Sequence, residues 1–405
     1  MKHSIAFWYE PLTKAKCQPP KVELHFNLWR DLLVPDSNFF DVGIKFLGTD
    51  GCDLSEAANS FSLFIPGRLE KHQFLDLSPL LREQQTLNAI FNDVVSIRAQ
   101  NENHLEAAIG TTETLTIHRI SVTDEVEVEQ VVVDGSTTGT IFKFSTPICR
   151  RLSGIKTHYI RVRCSLDNTT RQIFFSDSEP SDWFFLSSFV RTELTEFRWN
   201  ERRSFPVAIA NRPLNFFSIA TVHYFLVRDV KFELISAHTD FHKIRRLEDH
   251  LWENYLHGTL PGDYPDWRVT HALAQGKARE MIIYHWRIRS TGQSRIDDFI
   301  AFAKFRVPIP NLPIFAIAIV CLGGAGNAAY GLIGIFQTWI EWLWQPALAT
   351  KPTTRAVLET LFAGLILLAL AWFSPLVVTR LTALAARTKD LVLDLLYFIK
   401  RKLRC

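Results

Sequence analysis

Residues 113–145 read ETLTIHRISVTDEVEVEQVVVDGSTTGTIFKFS. Apolar and polar residues alternate over most of this run, the two-residue period of strands that bury one face. Asp134-Gly135 interrupts it with residue types that supply the positive φ angles of a tight turn, so the run predicts an antiparallel hairpin closed at that pair. The acidic residues of TDEVEVEQ alternate with valines, which puts them on the wet side of a sheet and not in a paired-carboxylate site.

The same pattern extends in both directions. VELHFNL, FFDVGIKFLG and SFSLFIPG upstream, and HYIRVRCSL, QIFFSDS, WFFLSSFV and NFFSIATVHYFLV downstream, are short apolar alternations rich in β-branched and aromatic residues. One helix is expected around Leu77–Phe91. From Ser236 to Leu256 the period turns helical: Phe241, Ile244, Leu247, Leu251, Trp252 and Tyr255 fall on one stripe, with Ser236 as N-cap, which predicts a helix over 236–256. A strand at MIIYHWRIRS and the run IDDFIAFAKFRV follow. Two β-rich regions, 1–150 and 151–306, form either two domains or one.

The last quarter has a different character. Val307–Ile340 and Thr360–Thr379 contain no Asp, Glu, Lys or Arg, and about twenty apolar residues suffice to cross a bilayer. Two transmembrane helices are therefore expected, over about 312–336 and 356–378, within a hairpin spanning 307–380. Trp339, Trp342 and Trp344 stand after the first span and Arg380 after the second, where aromatic and basic residues hold helix ends at the headgroups. Residues 381–405 read as an amphipathic basic helix, with Lys400 and Arg401 on its polar side and Lys402 on its apolar side. Basic residues flank both outer ends of the hairpin while its connecting loop has only Lys351 and Arg355, so both termini are expected on the cytoplasmic side of the inner, or plasma, membrane. The N-terminal MKHSIAFWYEPLTK has an apolar run too short for a secretory signal. The fold class expected is thus α+β: β-rich cytoplasmic domains, a two-helix membrane hairpin and a basic tail.

Composition narrows the function classes. Among 405 residues the formal charge is +3, too small to suggest the concentrated basic surface of a nucleic-acid binder. Six cysteines without a CxxC pair give no zinc knuckle or disulfide framework and suit a reduced compartment. Gly323, Asn327 and Gly331 recur every fourth residue in the first span, with Gly326 and Gly334 as a second small-residue pair, a pattern for close helix packing, oligomer contact or pore lining. GGAGNAA at residues 323–329 matches the dinucleotide fingerprint GxGxxA, but too little chain remains for the βα units such a domain needs. His238 and His242 in HTDFH have the spacing of metal ligands, without the Glu of HExxH hydrolases and on a polar face. No GxSxG elbow or P-loop is present and no nucleophile pairs with a base, so neither an enzyme nor a cofactor is expected.

A β-rich domain joined to a C-terminal two-helix hairpin resembles the membrane effectors of bacterial anti-phage defence, of the kinds encoded beside retrons and in cyclic-oligonucleotide systems. That resemblance implies membrane disruption in abortive infection, triggered through a protein or ribonucleoprotein regulator and self-association in the lipid bilayer. The competing expectation is a membrane-tethered binding or assembly protein without a pore, and a third is a hydrolase with a dispersed site.

Overall fold

The computed structural model describes residues 3–13, 17–30, 38–48, 54–110, 113–135, 137–153, 156–167, 169–178, 190–248, 252, 255, 280–291 and 296–308, with six isolated helical positions between 319 and 338. Residues 1–178 and 192–307 form one compact unit. A ten-stranded sheet dominates it. Its order is β16 (Lys243–Arg246), β17 (Met281–Arg289), β14 (Ile219–Asp229), β2 (Val22–Trp29), β3 (Asn38–Phe46), β11 (Thr157–Leu166), β8 (Glu113–His118), β7 (His104–Ile109) and β6 (Val95–Gln100), with β5 (Phe74–Asp76) also pairing with β11. Strands from both sides of residue 150 interleave in this sheet: β14 runs parallel to β2, and β11 lies between β3 and β8.

Two four-stranded sheets complete the unit. One is β1 (Ala6–Pro11), β4 (Ala58–Ile65), β10 (Thr137–Phe144) and β9 (Val126–Asp134); the other is β12 (Phe175–Ser178), β13 (Val190–Trp199), β18 (Phe299–Pro308) and β15 (Glu233–Ala237). The Asp134-Gly135 hairpin forms as its sequence predicts, β9 against β10, with Gly135 at φ +47°.

Strand alternation decides where the core sits. The even-numbered residues Leu24, Phe26, Val42, Ile44, Ile160, Val162, Val222 and Tyr224 share one continuous core with Phe7, Phe61, Phe142, Phe197 and Phe305 of the smaller sheets. The odd-numbered residues of the same strands point to the opposite face. There, Trp29, Phe39, Val227 and Met281 join a second core with Leu87 and Ile90 of the helix Gln84–Phe91 and with Trp252 and Tyr255. That helix lies within the stretch expected to be helical. Most of the remaining odd-numbered positions of β2, β3 and β11, among them Glu23, His25, Asn27, Asp41, Lys45, Arg161 and Arg163, are polar.

Three expectations are corrected. No helix among the described residues is long and apolar enough to cross a membrane, and the described structure is dominated by strands. The α+β fold with a transmembrane hairpin, and the multi-pass plasma-membrane placement derived from it, are therefore not what the structure supports; most of both expected spans, and the tail 381–405, lie outside the described residues. The expected helix over 236–256 is replaced over its first half by strand: β15 pairs with β18, and β16 with β17. An i, i+3, i+4 spacing over so few residues is equally compatible with an edge strand, and pairing to β17 satisfies the backbone groups a helix would have satisfied internally. Ile244 is accordingly 52% exposed, off any core stripe, while Trp252 and Tyr255 are helical and buried. Finally, Cys17 is disulfide-bonded, against the expectation of a fully reduced set, whereas Cys149 and Cys164 are free, buried thiols.

Candidate functional site

Over the odd-numbered face of the ten-stranded sheet lies a cleft of about 410 Å³, its floor made by Glu23, His25 and Asn27 of β2, Lys45 of β3, Arg161 of β11, His223 and Phe225 of β14 and His285 of β17. Ile90, Phe91 and Asn92, at the end of the helix Gln84–Phe91, and Trp252 bound it, and His242, Lys243 and Arg245 lead into β16 on another side. Period-two alternation puts these groups on one face, and strand pairing sets them side by side. Glu23 and His25 are two residues apart on one strand, and parallel pairing sets His223 opposite His25.

A chain of polar contacts crosses the floor. Asp41, fully buried, accepts two bonds from Arg163 (2.7 and 2.9 Å), one from Trp29 Nε1 (2.8 Å) and one from the Tyr255 hydroxyl (2.6 Å). Arg161 donates to the Tyr255 hydroxyl (2.8 Å) and to the Tyr159 hydroxyl (2.9 Å). The Tyr159 hydroxyl reaches His25 Nδ1 at 3.3 Å, and His25 Nε2 meets Glu23 Oε1 at 2.9 Å. The same Glu23 oxygen lies 3.4 Å from His223 Nε2, and His223 Nδ1 is 3.0 Å from His285 Nε2. Gly43, opposite His25 on β3, makes room for the Tyr159 ring and Arg161 to lie across the sheet.

These contacts fix the charge states. Burial raises the Glu23 carboxyl, but hydrogen bonds from His223 and His25 and the nearby Lys45 outweigh it and hold it well below the usual carboxylate range. Burial pushes His25 down to about 4 against the opposing pull of Glu23. His285 falls to about 2, first by burial and then by the neighbouring His223 and His242. At neutral pH the cleft therefore presents the ionised Glu23 carboxylate and the neutral imidazoles of His25 and His285. Asp41 is held low because the charges of Arg163 and Arg161 overcome its burial.

Three residues lining the cleft each carry a buried polar atom without a hydrogen-bond partner among the described residues: Asn27 Oδ1, Arg161 Nη2 and Trp252 Nε1. Most buried polar groups are paired, so each of these atoms carries an unmet hydrogen-bonding capacity. Six lining residues are Lys or Arg against three carboxylates, which biases the cleft toward anions.

Among the histidines singled out by spacing, the structure brings only His242 to the cleft, edge-on to His285 at 5.1 Å between ring centres. His238 bonds through its backbone to Phe302 and is not among the lining residues. Gly323, Gly331 and Gly334 are exposed helical positions where an added Cβ would meet nothing within 4 Å among the described residues. Gly326, Asn327, Trp339, Trp342, Trp344, Arg380, Lys400, Arg401 and Lys402 lie outside the described residues. Sequence reasoning missed Glu23, His25, His223 and His285; the faint signal available was a Glu and a His two apart in VELHFNL, a spacing that shares a face only once a strand is assumed.

No family model matches the chain and no curated protein matches its sequence. Solved structures that align with it include the folded domain of Mycobacterium tuberculosis LppM, at 8% identity over 73% of this chain and 95% of that one with a TM-score of 0.20. A candidate nutrient-binding protein of Legionella pneumophila aligns at 8% identity over 74% of this chain and 72% of that one, TM-score 0.21. At such scores neither likeness carries an argument about this fold or its ligand.

Proposed function

We propose that this chain is a binding protein whose cleft on the polar face of the ten-stranded sheet takes an anionic small molecule. The observation that carries the reading is Arg161. Its side chain is 1% exposed, it lines the cleft, and its Nη2 has no hydrogen-bond partner among the described residues, Asp41 standing 3.9 Å away. A buried guanidinium N–H left unpaired costs about 1–3 kcal/mol, which a ligand acceptor recovers on binding. Asn27 Oδ1 and Trp252 Nε1 supply an acceptor and a second donor for orientation, and Arg287 and Arg289 supply outer charge. A cavity of about 410 Å³ suits a small molecule, since ligand pockets run from about 300 to 1,000 Å³.

The test is calorimetry of the purified full chain against inorganic phosphate, a dicarboxylate, a tricarboxylate and a nucleoside monophosphate. At least one anion is expected to bind with one-to-one stoichiometry, and the double variant Arg287→Gln/Arg289→Gln should weaken it about tenfold or more, as loss of two charge-assisted contacts implies. Absence of binding by the whole panel, or an affinity indifferent to the double substitution, overturns the reading.

A further inference from the structure

We infer that Glu23, His25 and His223 form a binding site for a divalent transition-metal ion, zinc fitting best, with one coordination position open to the cleft. Two imidazoles and a carboxylate are the donor set of open zinc sites that hold three protein ligands and leave the fourth position to water or ligand.

The geometry is close to what that ion requires. Glu23 Oε1 lies 2.9 Å from His25 Nε2 and 3.4 Å from His223 Nε2, and the three ligand atoms fall within 4.8 Å of one another. Around a tetrahedral zinc with bonds of about 2.0–2.1 Å, neighbouring donors are separated by about 3.3–3.4 Å, so small side-chain adjustments admit the ion. The donors stand on paired strands rather than loops: Glu23 and His25 on β2, His223 opposite His25 on β14. Such support is what keeps a metal site precise.

The surroundings point the same way. Metal-binding histidines bond through their second ring nitrogen to a group that fixes ring orientation. Both rings do so here: His25 Nδ1 to the Tyr159 hydroxyl (3.3 Å) and His223 Nδ1 to His285 Nε2 (3.0 Å). Their Nε2 atoms are thereby turned together onto one carboxylate oxygen. The three donors line the cleft together with Arg161 and Asn27, each of which carries a buried polar atom without a partner among the described residues. The inference shares the cleft with the anion reading but does not rest on it.

Zinc titration of the chelator-stripped full chain, free of any affinity tag and in a buffer without coordinating anions, tests it. One equivalent of zinc is expected to bind and to raise the melting temperature, and cobalt loaded into the metal-free protein should give visible d–d absorption from a site of low coordination number that added zinc bleaches. Glu23→Gln and His223→Ala should each weaken zinc at least tenfold, the size of loss usual for one ligand or its support. His238→Gln, exposed and outside the cleft lining, should leave affinity within about twofold, a difference of under 0.5 kcal/mol. Should His223→Ala fail to fold, Glu23→Gln alone decides. No stoichiometric zinc binding by the wild type, or equal binding by wild type and Glu23→Gln, overturns the metal site. Anion binding in metal-free protein would survive that result, so the two readings fail separately.

Discussion

A Cβ placed on Gly43 would stand 2.1 Å from the Tyr159 hydroxyl and 3.1 Å from Arg161 Nη1. Gly43 is thus the opening through which Tyr159 and Arg161 of β11 cross β3, the Tyr159 hydroxyl reaching His25. Gly43→Ala is expected to destabilise the fold by about 1–3 kcal/mol, the usual penalty for overpacking a filled site. It should also weaken zinc, because the displaced hydroxyl no longer orients His25. Urea denaturation and calorimetry measure the two effects; a variant with wild-type stability and zinc affinity would show that the space above residue 43 is unimportant.

Asp41 is the buried counter-charge of this face, bonded at once to Arg163, Trp29 and Tyr255. Removing it strands the Arg163 guanidinium, itself 1% exposed, in an apolar setting. Asp41→Ala should cost about 3–5 kcal/mol, the range for breaking one partner out of a buried pair. Glu193, which holds Arg30 at 2.8 Å and Arg228 at 2.6 Å in a separate buried cluster, should show a loss of similar size. Equilibrium unfolding of the two variants checks both figures, and a loss under about 1 kcal/mol at either would contradict the account.

His118 gives the protein an acid-sensitive point away from the cleft. Burial, then the neighbouring His158 (2.9 Å) and the charges of Arg151 and His104, push it down to about 3. An unfolded histidine titrates near about 6.5. Between these values the unfolded chain binds a proton that the folded chain refuses, so this contribution to stability is complete above about pH 6.5 and declines as pH falls toward 3. The slope approaches about 1.4 kcal/mol per pH unit. Unfolding curves at about pH 7 and about pH 5 should differ more for the wild type than for His118→Gln; an identical pH response in the two would refute the assignment.

The two described free thiols should be inert in the folded protein. Burial pushes Cys149 up to about 12 and Cys164 well above its ordinary value. The reactive thiolate is then scarce as well as inaccessible. Alkylation with iodoacetamide followed by peptide mass spectrometry should leave both unmodified in native buffer and modify both in urea. Native labelling of Cys164 on the timescale of a surface thiol would show that β11 opens readily.

Among the described residues the linear chain determined most of the strands read from it and the hairpin at Asp134-Gly135, because period-two alternation and the conformational freedom of glycine act between neighbours; the strand expected at 183–189 lies outside them, and Val122–Glu125, read as strand, is helical. The linear chain also determined the helix near Leu77–Phe91. It misdirected at 236–256, where a few apolar residues at helical spacing lose to an edge pairing with β17 that no local pattern records, and in the expected membrane hairpin, where hydropathy counted over a window is blind to the remainder of the molecule. The cleft belongs to the tertiary structure alone. Glu23, His25, His223 and His285 are spread over more than 260 positions of chain, and each resembles an ordinary polar residue on the wet side of a strand. Only the parallel pairing of β14 with β2, and the pairing of β17 with β14, sets them side by side. Strand register over such separations is decided by the packing of the opposite, apolar face, and that is why a single sequence read in order does not disclose the site.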